Sequence, residues 1–131
     1  MRHVGPLMMR DYQESLPNTI QREWYDQTKL TDAIRQEYLK LLKIENWDRA
    51  FYELTFAPAY PELRPLLPQL TVPVFIVAGQ EDRLIRAFYF EAIATEIPGA
   101  KLTLIPQCGH VPQEECPIQF MEEIIKYLDT Q

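Results

Sequence analysis

Val72-Pro73-Val74-Phe75-Ile76-Val77-Ala78 is a short, almost continuous apolar run, and Gly79-Gln80-Glu81-Asp82 ends it. A strand buried on both faces reads this way because neither face meets water, and parallel sheets are built from such strands. Ala87 to Ile97 then carries Tyr89, Phe90, Ile93, Ala94 and Ile97 at helical spacing, which predicts a helix with those residues inward. Pro98-Gly99 stops it. Lys101-Leu102-Thr103-Leu104-Ile105 reads as a second strand and Pro106-Gln107-Cys108-Gly109-His110 as a loop. Pro117 suits the first turn of a last helix, along which Ile118, Met121, Ile124, Ile125 and Leu128 recur. A strand, a helix and a strand of these lengths make a βαβ unit, so the two strands run parallel.

Upstream, residues 57–71 are rich in proline, and each proline removes a backbone donor. No long regular element fits there, so the stretch reads as a connector. Before it the pattern is helical. Thr31 can cap a helix running to about Lys43, with Ile34, Tyr38, Leu41 and Leu42 on one stripe. Asn46 can cap a second, with Trp47, Ala50, Phe51 and Leu54 inward and Glu45, Asp48 and Arg49 facing water. Residues 1–20 show no clear period.

At 131 residues the chain is one ordinary domain or part of a larger one. Apolar residues at 47% and charged residues at 24% suit a soluble globular protein. A formal net charge of −6 argues against nucleic acid as a partner. No apolar run approaches the roughly 18 to 20 residues of a membrane span. Met1 to Pro6 lacks the apolar core of a secretory signal. Cys108 and Cys116 are too few for a disulfide framework and match no zinc spacing, so reduced, structural thiols are expected.

Parallel strands put the loops that follow them at one edge of the sheet. Asp82 lies four residues past Ala78, and His110 five past Ile105, so both emerge at the carboxyl edge, where open α/β sheets bind ligands. A carboxylate there can fix one imidazole nitrogen while the other acts as general base. Gly109 permits close approach of the backbone. Taken singly, an aspartate after a strand is a turn or cap residue and a loop histidine is simply exposed.

Residues 73–85, an apolar strand followed by Gly79, two polar residues, Asp82 and a short apolar pair, resemble the acid-bearing segment of capped α/β-hydrolases. Residues 97–106 followed by Gly109-His110 resemble that family's run into its catalytic histidine, and residues 111–117 look like a version found in plant plastid and cyanobacterial members. The resemblance implies an α/β fold, specifically the C-terminal portion of an α/β-hydrolase. Residues 1–56 would be the C-terminal part of a helical cap, 57–71 a proline-rich connector, and 72–131 the last βαβα unit of the core. It also implies Asp82 as triad acid and His110 as triad base. Arg83 and Leu84 would shape the acid loop. No metal or organic cofactor is implied, and cytoplasm and plastid are both allowed. Trp47, Phe51 and Tyr52 read as cap core, with a substrate wall as the alternative.

The family's nucleophile sits in a Gly-x-Ser-x-Gly elbow. Gly5, Gly79, Gly99 and Gly109 include no pair four residues apart, and the only serine, Ser15, has no strand before it. Cys108 and Cys116 lack an elbow and are poor substitutes. The oxyanion donors, from the residue after the nucleophile and an early loop, are missing too. Two readings stay open. One is the C-terminal segment of an esterase-like enzyme using a Ser-His-Asp mechanism on a small ester, inactive alone. The other is a non-catalytic half-domain that binds a partner or itself through an exposed, apolar sheet edge.

Overall fold

The computed structural model describes residues 4–56 and 62–130. The chain divides into two compact units, residues 1–21 with 30–61 and residues 22–29 with 62–131.

The first unit is helical. Helix α1 (Val4–Glu23) fills most of the region without clear sequence period and continues through Pro17, its last two residues belonging to the second unit. Helix α2 (Asp32–Lys40) starts where expected, because the Thr31 hydroxyl accepts from the Ile34 N–H at 3.3 Å. It tightens into a 3₁₀ turn at Leu41–Lys43. Helix α3 (Trp47–Thr55) follows Asn46, which takes a left-handed φ of 60° and makes no side-chain cap bond. That turn sets the face of α3 differently from the expectation. Ala50, Phe51 and Leu54 are exposed, Trp47 and Tyr52 are half-buried, and Asp48 is buried instead of facing water. Asp48 sits in the first turn and accepts from the Arg49 N–H at 2.8 Å, where a carboxylate suits the positive end of the helix. The buried apolar side chains of this unit among the described residues are Met9, Ile20 and Leu30.

The second unit holds the sheet. Arg64–Gln69 is a 3₁₀ helix, the short element that Pro65 and Pro68 allow, and residues 57–61 of the expected connector lie outside the described residues. Strand β1 (Phe75–Gly79) pairs in parallel with β2 (Lys101–Ile105), from Phe75 opposite Lys101 to Gly79 opposite Ile105. Helix α4 (Ala87–Glu96) connects them, and α5 (Pro112–Glu115) and α6 (Pro117–Leu128) complete the unit. Ile105, Cys108 and Cys116 form its buried core, with Val77 and Phe120 packed against them.

The expected helices are present but turned. Phe90, Ala94 and Ile97 of the α4 segment are covered, whereas Tyr89 and Ile93 are exposed. On α6 the covered apolar residues are Phe120, Ile124 and Tyr127, the last stacking on Phe75 with ring centroids 4.4 Å apart. Ile118, Met121, Ile125 and Leu128 form a second apolar stripe that stays exposed. The cysteines also depart from expectation. Cys108 and Cys116 are joined in a disulfide, because the turn between them brings their Cα atoms to 6.2 Å, within the range a disulfide spans.

Candidate active site

Both strands end at the same edge, and the loops that leave them lie against each other. The Gln80 N–H donates to the Ile105 carbonyl at 2.9 Å, extending the ladder by one step. The next step is reciprocal. The Glu81 N–H donates to the Cys108 carbonyl at 3.0 Å, and the Cys108 N–H donates to Glu81 Oε2 at 3.1 Å. The approach is so close that a Cβ at Gly79 would lie 2.0 Å from the Gly109 carbonyl oxygen and 2.3 Å from that of Cys108. Only glycine fits there.

This contact delivers Asp82 to His110. Asp82 Oδ2 lies 2.8 Å from His110 Nδ1, and Oδ1 accepts from the backbone N–H groups of Leu84 at 2.8 Å and Ile85 at 2.9 Å. Both carboxylate oxygens therefore have partners, which suits a buried charge. The Asp82 side chain is 1% exposed and that of His110 30%. With Nδ1 turned to the carboxylate, Nε2 is the ring nitrogen left for proton transfer, and the imidazole is accessible enough to meet a reactant. The two residues singled out in the sequence are thus brought together. Arg83 is exposed and takes no part in this geometry among the described contacts.

A second layer went unread in the sequence. Residues 22–29 lie on the other side of the His110 loop, and the His110 N–H donates to the Glu23 carbonyl at 2.7 Å. A Cβ at Gly109 would meet that same Glu23 oxygen at 2.3 Å and the Tyr25 nitrogen at 2.8 Å. The loop is therefore pressed between the end of β1 and the segment after α1. Trp24 is fully buried beside this contact in sequence. Burial pushes the Glu23 carboxyl above its usual range; nearby Glu114 and Asp82 push the same way, and His110 pulls it down.

Cys108, Glu115 and Cys116 offer ligand atoms within 4.8 Å of one another, a grouping able to hold a metal ion. Here the disulfide takes both sulfurs, and backbone amides take the Glu115 carboxylate. Neither cysteine is a free thiol, so neither offers a nucleophile in this state. Ser15 is exposed in the middle of α1 in the helical unit. No helix among the described residues is long and apolar enough to cross a membrane.

The 2-succinyl-6-hydroxy-2,4-cyclohexadiene-1-carboxylate synthase of Salmonella arizonae is 30% identical over 116 residues, covering 85% of this chain and 44% of that protein. A pimeloyl-[acyl-carrier protein] methyl ester esterase of Nitrosomonas europaea is 35% identical over 60 residues, 46% of this chain and 24% of that protein. An esterase structure from Exiguobacterium antarcticum, 19% identical, shares the fold with a TM-score of 0.74, over 92% of this chain and 44% of that one. The chain thus spans less than half the length of these relatives. A sequence model described as the alpha/beta hydrolase family matches residues 2–123. The chain belongs to the alpha/beta hydrolase family.

Proposed function

We propose that this chain supplies the acid and base of a serine-type ester hydrolase. The serine and the oxyanion donors would come from the part of the fold that these 131 residues do not span. The observation that carries this reading is the buried Asp82 carboxylate 2.8 Å from Nδ1 of the partly open His110 ring. In the complete site, Nε2 takes the proton of the serine hydroxyl as its oxygen bonds to the ester carbonyl carbon. The protonated ring, stabilised by Asp82, then gives that proton to the departing alkoxide as the ester bond breaks. Water repeats the cycle on the acyl-enzyme and returns the serine. The esterase among the sequence relatives supports ester chemistry, and a small ester is the expected substrate class.

The surface supports the same reading. Helix α6 packs Phe120, Ile124 and Tyr127 on the sheet and leaves Ile118, Met121, Ile125 and Leu128 exposed, the last at 62%. An apolar stripe of that kind marks a covered face in the complete fold. It also favours the second reading, a half-domain that associates through this face and the free edge of β1.

Substitution of His110 by Ala in a form carrying the nucleophile should lower kcat by roughly 10³-fold or more. Retention of most activity would overturn the assignment. This chain alone, assayed with p-nitrophenyl acetate, should show no difference from its His110→Ala variant. Turnover that disappears in the variant would mean that the chain holds its own nucleophile.

A further inference from the structure

We propose that Glu115 is the positioning residue of the histidine loop, aligning His110 with Asp82 through the backbone without touching the ring. This rests on the reading of His110 as a base oriented by Asp82.

Glu115 is 2% exposed, and carboxylates are almost never buried so fully without compensation. The compensation here is specific. Oε2 accepts from the Gly109 N–H at 2.7 Å and the Tyr25 N–H at 3.2 Å, and Oε1 accepts from the Asp26 N–H at 2.6 Å. Three backbone donors from two distant segments thus converge on one carboxylate, and bonds to a charged acceptor are the stronger kind. One of the donors belongs to the residue immediately before His110.

Local sequence aims the side chain. Pro112 opens the single turn of α5, and the Glu114 and Glu115 N–H groups both donate to the Val111 carbonyl at 2.9 Å. That turn folds Glu115 back over the loop it follows. Lys29 Nζ donates to the Glu115 carbonyl at 3.1 Å, adding a third attachment between residues 25–29 and this turn. On the other flank the His110 N–H is held by the Glu23 carbonyl at 2.7 Å. The peptide groups on either side of Gly109 are therefore fixed from one side by the carboxylate and the 23–26 backbone, and from the other by Gly79. With the backbone held there, Nδ1 of the imidazole lies 2.8 Å from Asp82 Oδ2. Removing the negative charge leaves buried N–H groups without an adequate acceptor, and the loop relaxes away from the 23–26 segment.

The test is the ring signature of His110 in nitrogen-15 NMR spectra of this chain, with Glu115→Gln, Asp82→Asn and unchanged protein compared. His3 is the only other histidine, and His110→Ala assigns the signals. In the unchanged chain a single Nδ1–H tautomer with a low-field proton is expected, and Asp82→Asn should abolish it. Glu115→Gln should abolish it as well, while the strand amides of β1 and β2 keep their positions. If Asp82→Asn leaves the signature intact, the Asp82–His110 reading fails, and the positioning role with it. If Asp82→Asn abolishes it and Glu115→Gln does not, only the positioning role fails, and Glu115 is then merely structural.

Where Glu115→Gln does not fold, native-state hydrogen exchange of the unchanged chain decides. A common protection of the Gly109, His110 and Asp26 amides supports the clamp, and independent exchange of Gly109 overturns it.

Discussion

The sheet unit and the helical unit hold themselves together in different ways. Around His110 the packing is backbone on backbone: Gly79 lies against Cys108 and Gly109, and Gly109 lies against Glu23 and Tyr25. In the helical unit Tyr52 and Phe56 meet ring to ring with centroids 4.8 Å apart, and many large apolar side chains stay in water, including Leu41, Ile44, Leu54 and Phe56. A backbone contact has no rotamer to relax, so it demands one residue at one place. A side-chain face has many solutions, and its burial depends on what covers it. The sheet unit should therefore be intolerant at a few positions, and the helical unit tolerant at most.

The largest expected effect follows from the glycines. Gly79→Ala or Gly109→Ala puts a methyl group against backbone atoms that cannot give way, and each should cost about 3 kcal/mol or more. Gly99→Ala is the control. Nothing lies within 4 Å of its Cβ, but its φ of +71° disfavours a side chain, so about 1–2 kcal/mol is expected. Urea unfolding followed by near-ultraviolet circular dichroism measures all three. Equal losses at Gly79 and Gly99 would break the contrast between contact and conformation.

The next effect compares the units directly. Ile105 is 2% exposed at the end of β2, and Ile105→Ala should cost about 2–5 kcal/mol. Leu54, on the face of α3 expected to point inward, is 64% exposed, and Leu54→Ala should stay within about 0.5 kcal/mol. A loss at Leu54 as large as that at Ile105 would mean that the α3 face is covered in solution, by a second copy or another chain.

The same contrast explains what could be read in advance. The strand and helix order of residues 72–128 was legible because buried strands and amphipathic helices follow from local pattern. Asp82 and His110 were legible because parallel strands fix where their loops emerge. Which face of α3 turns inward was not legible. Asn46 reverses the backbone locally, and a short pattern cannot fix the angle at which a helix leaves such a turn. The cysteine pairing and the role of Glu115 were not legible either. Both depend on where the turn at residues 106–116 folds back, and Glu115 depends further on a partner segment some 90 residues away. The one local signal was Pro112, which starts a helical turn and so brings the residue three places on back over the loop.

Glu23, in the same unit as the histidine loop, gives the smallest effect. It ends α1, yet its carbonyl belongs to the histidine loop. Burial is the main cause of its raised pKa, so the folded protein holds the Glu23 proton more tightly than the unfolded chain does. Its favourable contribution is fully present below the unfolded value of about 4.5 and is lost as pH rises through the higher folded value. At neutral pH the ionised carboxylate therefore opposes folding. Glu23→Gln removes that opposition and leaves the backbone carbonyl in place. The variant should melt slightly above the unchanged protein at pH 7, and the two should converge as the pH falls below about 4.5. Thermal melts of the pair across that range measure the difference. A variant that melts below the unchanged protein at pH 7 would mean that attraction to His110 outweighs burial, and that Glu23 serves the site as an anion.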